Sequence, residues 1–252
     1  MWCSASAILK HKEHRPYDYP GKPWVMSMRW DDLLFMHYPF PAEDVQKLLP
    51  AQFVVDTFNG AAWIGVVPFK MSAVRPRLLP NLPMLSFFLE LNVRTYVSVD
   101  GISGVYFFSL DASNVIAVEA ARLGFHLPYF FAQMQVKDER AGFIYRSTRL
   151  DKRGSAARLD MRYKPAGPAF KSQRGSLEDF LTERYCLYTT YGEDVLRCHV
   201  HHNQWQLQPA EADIACNTML DQLSLAPGAE PHLLFSKSLQ TVAWAPDLVQ
   251  PD

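Results

Sequence analysis

Residues 87 to 99 carry the row of side chains best suited to chemistry. Even positions hold Phe88, Glu90, Asn92, Arg94, Tyr96 and Ser98; odd positions hold Phe87, Leu89, Leu91, Val93, Thr95, Val97 and Val99. This is the period-two alternation of a β-strand, so a carboxylate, an amide, a guanidinium and a phenol follow one another on one face. If that face meets water, the row is a solvated surface. If the sheet curls into a barrel, alternate residues point inward and the row lines a cavity. Charges in such a cavity must be paired, so Glu90 and Arg94 would share hydrogen bonds or hold a ligand between them. An arginine so placed suits a carboxylate or an enolate. A glutamate in a dry pocket has a raised pKa and can move protons. The runs Tyr106-Phe107-Phe108 and Tyr129-Phe130-Phe131 are apolar on both faces. A sheet covered on both sides requires that, and it favours the cavity.

Other reactive side chains are less organised. His199 and His201 share one strand face with His202 opposite, and imidazoles at that spacing can chelate a metal. Two ligands are not a site, and no metal is expected. His37, just before Pro39, is read as structural. Cys186 and Cys198, with His199 nearby, are read as buried, inert thiols. The glycines are scattered, so no phosphate-cradling loop is present, and there is no Gly-x-Ser-x-Gly or His-Glu-x-x-His. No cofactor is expected.

The chain that must position these groups has 252 residues, 48% hydrophobic and 20% charged, with a net charge of -1. Without a basic excess, nucleic acid is a disfavoured partner. No apolar run reaches the roughly eighteen residues a spanning helix needs, so no membrane partner is expected either. Cys3, Cys186, Cys198 and Cys216 form no framework, which points to reduced thiols in the cytoplasm. Residues 1–27, with the charge run Lys10 to Arg15 followed by Pro16, Pro20 and Pro23, read as a flexible leader. Residues 28–252 read as a single domain. Asn59-Gly60 between apolar runs predicts a hairpin. A helix is expected over Val115 to Leu123, capped by Asp111 or Ser113, with Gly124 as its stop. Pro209 is read as opening another helix through Leu220. The tally is about ten short strands and three or four helices, so a large antiparallel sheet, sandwich or barrel is expected.

Four blocks carry a resemblance. They are Leu89 to Val97, Gly104 to Ala112, Leu127-Pro128-Tyr129 and Phe180 to Tyr188, supported by Arg29 to Pro39 and His201 to Trp205. In their order they resemble the YqjF-like family, a domain of unknown function (2071), over about residues 28 to 245. That family is similar to the acetoacetate decarboxylase-like superfamily. The resemblance implies a mainly β fold with a few helices, a cone-shaped antiparallel barrel around a central cavity, with Glu90, Asn92, Arg94 and Tyr96 facing inward. Acetoacetate decarboxylase works through a lysine Schiff base whose pKa is lowered by an adjacent cation in a dry pocket. Its lysine pair follows a Gly-aromatic-Pro turn. The comparable turn here is Phe125-His126-Leu127-Pro128, followed by Tyr129 and Phe130, and no lysine stands there. Lys70 and Lys237 are the conceivable substitutes, though surface lysines fit them better.

Two functions follow as expectations. One is a lysine-independent lyase- or isomerase-type enzyme on a small oxo- or hydroxy-acid or a related aromatic. In it Arg94 grips the anion, Glu90 shuttles protons, and Asn92, Tyr96, His126 and Tyr129 contact the ligand. The other is a small-molecule binding or sensing module with no turnover. The oligomeric state is open, a homo-oligomer included.

Overall fold

The computed structural model describes residues 5–80, 85–140 and 142–249. Cys3 and the rest of residues 1–4, and Pro83 and Met84 of the Pro-rich loop, lie outside them. Thirteen strands run in order as β1 (Met26–Pro41), β2 (Val54–Val55), β3 (Ala61–Pro76), β4 (Phe87–Val99), β5 (Ile102–Ala112), β6 (Tyr129–Glu139), β7 (Gly142–Arg149), β8 (Arg158–Pro165), β9 (Cys186–Tyr191), β10 (Asp194–His202), β11 (Gln208–Asn217), β12 (His232–Ala243) and β13 (Asp247–Leu248). Four short helices interrupt them: α1 (Ala5–Ile8), α2 (Ala42–Gln46), α3 (Val115–Phe125) and α4 (Leu177–Thr182).

Pairing runs β5-β6-β7-β8-β11-β12-β1-β3-β4, and β4 returns to β5, which closes a barrel of these nine strands. Closure removes every exposed strand edge from the ring. Strands β9 and β10 form a bypass: β9 pairs with β5 and β10 with β12. Thus β5, β4, β3, β1 and β12 are a wall shared by two enclosures. Most pairs are antiparallel; β5 with β6 and β5 with β9 are short parallel contacts.

The shared wall explains why β4 is buried on both faces. Leu89, Leu91 and Val93 point into the principal core with Tyr145, Leu159, Met161 and Phe235. Phe88 points the other way, into a second cluster with Met28, Val67, Phe69, Leu127 and Trp205. Two bulges keep the neighbouring strands in step. β1 carries one at Asp32, a residue at φ 51°, where its register with β3 shifts. Before it Met26, Met28 and Trp30 face the second enclosure; after it Leu33 and Phe35 do. β5 carries an extra residue, Phe108, opposite Val93 and Arg94, so Phe107 and Leu110 both face inward. A bulge re-aims side chains in this way without ending the ladder.

Several expectations are corrected. The stretch from Pro209 is β11, not a helix. Ala210, Ala212 and Ile214 pack on the core while Glu211 and Asp213 point out, and pairing with β8 overrides helical propensity. Val54–Val55 pair with Ser98 and Val97 of β4 rather than forming a hairpin with β3, although Phe58 and Ala61 do bridge across Asn59-Gly60. The cap of α3 is Asn114, whose Oδ1 accepts from the amides of Ile116 and Ala117. Asp111 is engaged with Arg149 and Ser113 Oγ with the Leu89 amide, so neither is free to cap.

The segment expected as a flexible leader is packed in its described part, and β1 begins inside it at Met26. Ile8 is buried, and Arg15 is buried with its Nη1 donating to Val200 O at 2.6 Å. The Tyr17, Tyr19 and Tyr185 rings lie within 5.1 Å of the Arg15 guanidinium carbon. Tyr19 further contacts His201 Nε2 at 3.0 Å. Composition marked this stretch as solvated, but cation–π contacts and a carbonyl partner make burial of one arginine tolerable.

Candidate functional site

The second enclosure holds a cavity of about 120 Å³. Its walls come from β1, β3, β4, β5, β9, β10 and β12, with Phe125 of α3 and Tyr129 of β6 at one end and Trp205 at another. Glu90, Asn92 and Arg94 line it. Alternation alone left open whether this row met water; the shared wall turns it inward.

Glu90 is 3% exposed. Tyr129 OH donates to its Oε2 at 2.8 Å. Burial raises the Glu90 pKa to about 8, and the hydrogen bonds with Tyr129 and Asn92 hold it from going higher. Burial also lifts the Tyr129 phenol well above its ordinary value, so it stays a donor. The carboxyl is therefore mostly protonated at neutral pH, yet within reach of ionisation. Asn92 is buried, and its Oδ1 has no hydrogen-bond partner. Unsatisfied buried oxygens are uncommon and costly.

Arg94 does not pair with Glu90. Four residues of extended strand separate their Cα atoms by about 13 Å, and each has its own partners. Arg94 Nη2 donates to Tyr96 OH and to Leu181 O, both at 3.3 Å, and its buried Nε is unpartnered. Its guanidinium lies over the Phe35 ring at 5.3 Å. Arg184, over the same Tyr96 ring as Arg94, is neutralised by Asp56 at 2.7 Å. Among the described residues no carboxylate forms an ion pair with Arg94. Arg94 and Glu90 thus line one largely apolar chamber without pairing with each other.

Tyr96 is fully buried and stands behind Arg94 rather than in the cavity lining. Its OH donates to Leu181 O at 2.6 Å, so His37 must donate to it from Nε2, also at 2.6 Å. Burial, then the Arg94 charge, pushes the His37 pKa well down, which keeps the ring neutral. His37 presses against Gly65, where a Cβ would lie 2.8 Å from Nε2. His37 and Tyr96 thus position the arginine. His126 is not in the cavity lining either. It ends α3 in a left-handed conformation, with its ring on that of Tyr191 at 4.4 Å, and Tyr191 is exposed.

The lysine substitutes lie elsewhere. Lys70 bonds Asp32 at 2.8 Å and Asp138 at 2.5 Å, and Lys237 bonds the same Asp32. Burial alone would lower the Lys70 pKa, but the two carboxylates raise it above the ordinary value. That is the reverse of what a Schiff-base amine requires. Cys198 lines the cavity, but burial pushes its thiol up to about 12 and it donates to Trp244 O at 3.0 Å. Among the described residues no cluster of His, Cys, Asp and Glu has the makings of a metal site. No helix of the described residues is long and apolar enough to cross a membrane. Trp30 and Trp205 lie in segments that support the family resemblance but are not among the residues expected at the site; their stacked rings (5.8 Å between centroids) wall the cavity beside Phe35. Loop-to-strand packing carries no short-range signature.

Known proteins agree with this architecture. The chain is similar to acetoacetate decarboxylase, with a TM-score of 0.61 at 11% identity over 98% of each chain. It is equally similar to the enduracididine biosynthesis enzyme MppR complexed with pyruvate, with a TM-score of 0.61, 11% identity, and 94% and 93% of the two chains covered. Acetoacetate decarboxylase from Legionella pneumophila follows, with a TM-score of 0.59 at 10% identity over 95% and 94%. At such identities the likeness is one of fold: an acetoacetate decarboxylase-like barrel. In sequence, the chain is 40% identical over 226 residues to the uncharacterized protein YqjF of Bacillus subtilis (strain 168), covering 89% of this chain and 93% of that protein. Residues 27–240 match the family model described as an uncharacterized conserved protein, domain of unknown function 2071. The chain therefore belongs to the YqjF-like family, built on an acetoacetate decarboxylase-like barrel.

Proposed function

We propose that this protein binds a small oxo-acid in the cavity and catalyses proton transfer on it without a lysine. The observation that carries this reading is Arg94: a cation with no carboxylate partner, in an apolar chamber that it shares with a buried Glu90 of raised pKa. The ligand carboxylate takes the guanidinium, as charge-assisted hydrogen bonding favours. The ionised form of Glu90 takes a proton from the carbon next to the ketone. The electron pair of that C–H bond moves into the carbonyl to give an enolate, with Asn92 and Tyr129 as the nearby polar groups. Return of the proton from Glu90 to the enolate oxygen gives the enol tautomer, and return to carbon regenerates the oxo-acid, so the cycle needs no other reactant. A structural neighbour solved with pyruvate supports an oxo-acid as the ligand class. Free thiols at Cys186, Cys198 and Cys216 suit a reducing, cytoplasmic setting.

The test is loss of the methyl proton signal of pyruvate in D2O, followed by NMR. Exchange should depend on the protein and rise with pH toward about 8, where Glu90 ionises. Glu90→Gln should keep the ligand and lose exchange; Arg94→Ala should lose both. Binding with no exchange at any pH would leave a non-catalytic binding module. No binding, with Arg94→Ala indistinguishable from wild type, would remove Arg94 from the site.

A further inference from the structure

The polar cavity is not the whole of the accessible space. A second chamber of about 220 Å³ adjoins it beneath α3. Met26, Met28, Met71, Ala121, Phe125 and Tyr129 line both chambers, so the two adjoin across a wall made largely of adaptable methionine side chains. Beyond them the outer chamber is walled by Val74, Phe88 and Ala117. Among the described residues the only hydroxyl on its walls is that of Tyr129, which is already committed to Glu90. Water confined in such a space finds too few hydrogen-bond partners, whereas apolar groups lose nothing by entering it. Methionine walls adapt to irregular or flexible shapes. At the inner end stands Arg94, which has no carboxylate partner among the described residues.

We infer that the ligand is a carboxylic acid with an apolar tail, its head at Arg94 and its tail in the chamber under α3. The inference rests on Arg94 being the carboxylate partner and extends that reading from small acids to longer ones. The outer volume admits roughly seven groups of about 30 Å³ each, so a tail of about seven carbons fills it. Polarity then divides along the ligand as it does along the walls, with all hydrogen bonding at one end.

The experiment is isothermal titration with straight-chain carboxylates from butanoate to octanoate. Each methylene that becomes fully buried should tighten binding about fourfold, and the four that separate butanoate from octanoate should span roughly 250-fold. Ala117→Phe fills the outer chamber from the helix side, and Val74→Phe fills it from the sheet side. Both should abolish the gain for octanoate while butanoate binds as it does to wild type, with melting temperature as the check on folding. Butanoate and octanoate binding equally in wild type would overturn the tail while leaving the head-group reading intact. Octanoate binding that ignores both variants would also overturn it. Octanoate binding unchanged in Arg94→Gln would overturn the head-group reading and this inference together.

Discussion

Replacing Glu90 by glutamine tests whether the inward-facing row is dry. The carboxyl has a pKa of about 8 in the folded chain against an ordinary 4.5, because burial disfavours its charge. With the folded value raised, the group's contribution to stability is complete below about pH 4.5 and is lost as pH rises toward 8. Between those values the folded chain keeps a proton that the unfolded chain has released. Stability therefore falls by up to about 1.4 kcal/mol per pH unit from this group alone. From pH 5.5 to 7.5 the loss amounts to between about 2 and 3 kcal/mol. Glutamine still accepts from Tyr129 through Oε1 but cannot ionise, so Glu90→Gln should flatten the profile by that amount. Urea unfolding at constant ionic strength, in half-unit pH steps, measures it. The difference between variant and wild type cancels the other titrating groups, among them Asp111 and Glu183. Parallel profiles would mean that Glu90 is solvated and that the chamber is open to water, and the proton-transfer reading would fall with it.

Other substitutions probe the surroundings. Tyr129→Phe removes the donor that holds the Glu90 pKa down, so the pH midpoint of pyruvate proton exchange should move up by about one unit; a downward move would contradict the assignment. Arg149→Ala strips the partner from the fully buried Asp111, bonded at 2.8 Å, and should cost about 3–5 kcal/mol in denaturant unfolding, with a loss below 1 kcal/mol counting against a tightly buried pair. Borohydride trapping with pyruvate should yield no lysine adduct by mass spectrometry, since Lys70 and Lys237 are ion-paired to Asp32; a mapped adduct on either would restore Schiff-base chemistry.

Much of the architecture was legible because strands announce themselves by period two. The bounds of β4 follow directly from the alternation of Phe87 to Val99. Where local signals compete, the reading failed. Pro209 with alanines after it looks helical, yet Glu211 and Asp213 alternate with Ala212 and Ile214, and pairing with β8 decides. Arg15 sits in a run of charges and still ends up buried, because three tyrosines from two distant stretches, Tyr17, Tyr19 and Tyr185, gather round it. His126 is expected at the site because it stands in the turn comparable to the one that precedes the lysine pair of acetoacetate decarboxylase. The left-handed end of α3 points its ring at Tyr191 instead.

The row Glu90, Asn92, Arg94, Tyr96 is a property of the sequence: the backbone pleat puts these four side chains on one face wherever the strand goes. Which face of the sheet is enclosed is not a local property. It depends on β9 and β10 bridging from β5 to β12, contacts between segments about eighty and about forty residues apart that no alternation encodes. The same closure divides the row by role, sending Glu90 to Tyr129 and placing Tyr96 behind Arg94 with His37. Side-chain order is set by covalent geometry, but solvation, and with it the protonation of Glu90 and the unpaired charge of Arg94, is set by what the rest of the chain packs around them.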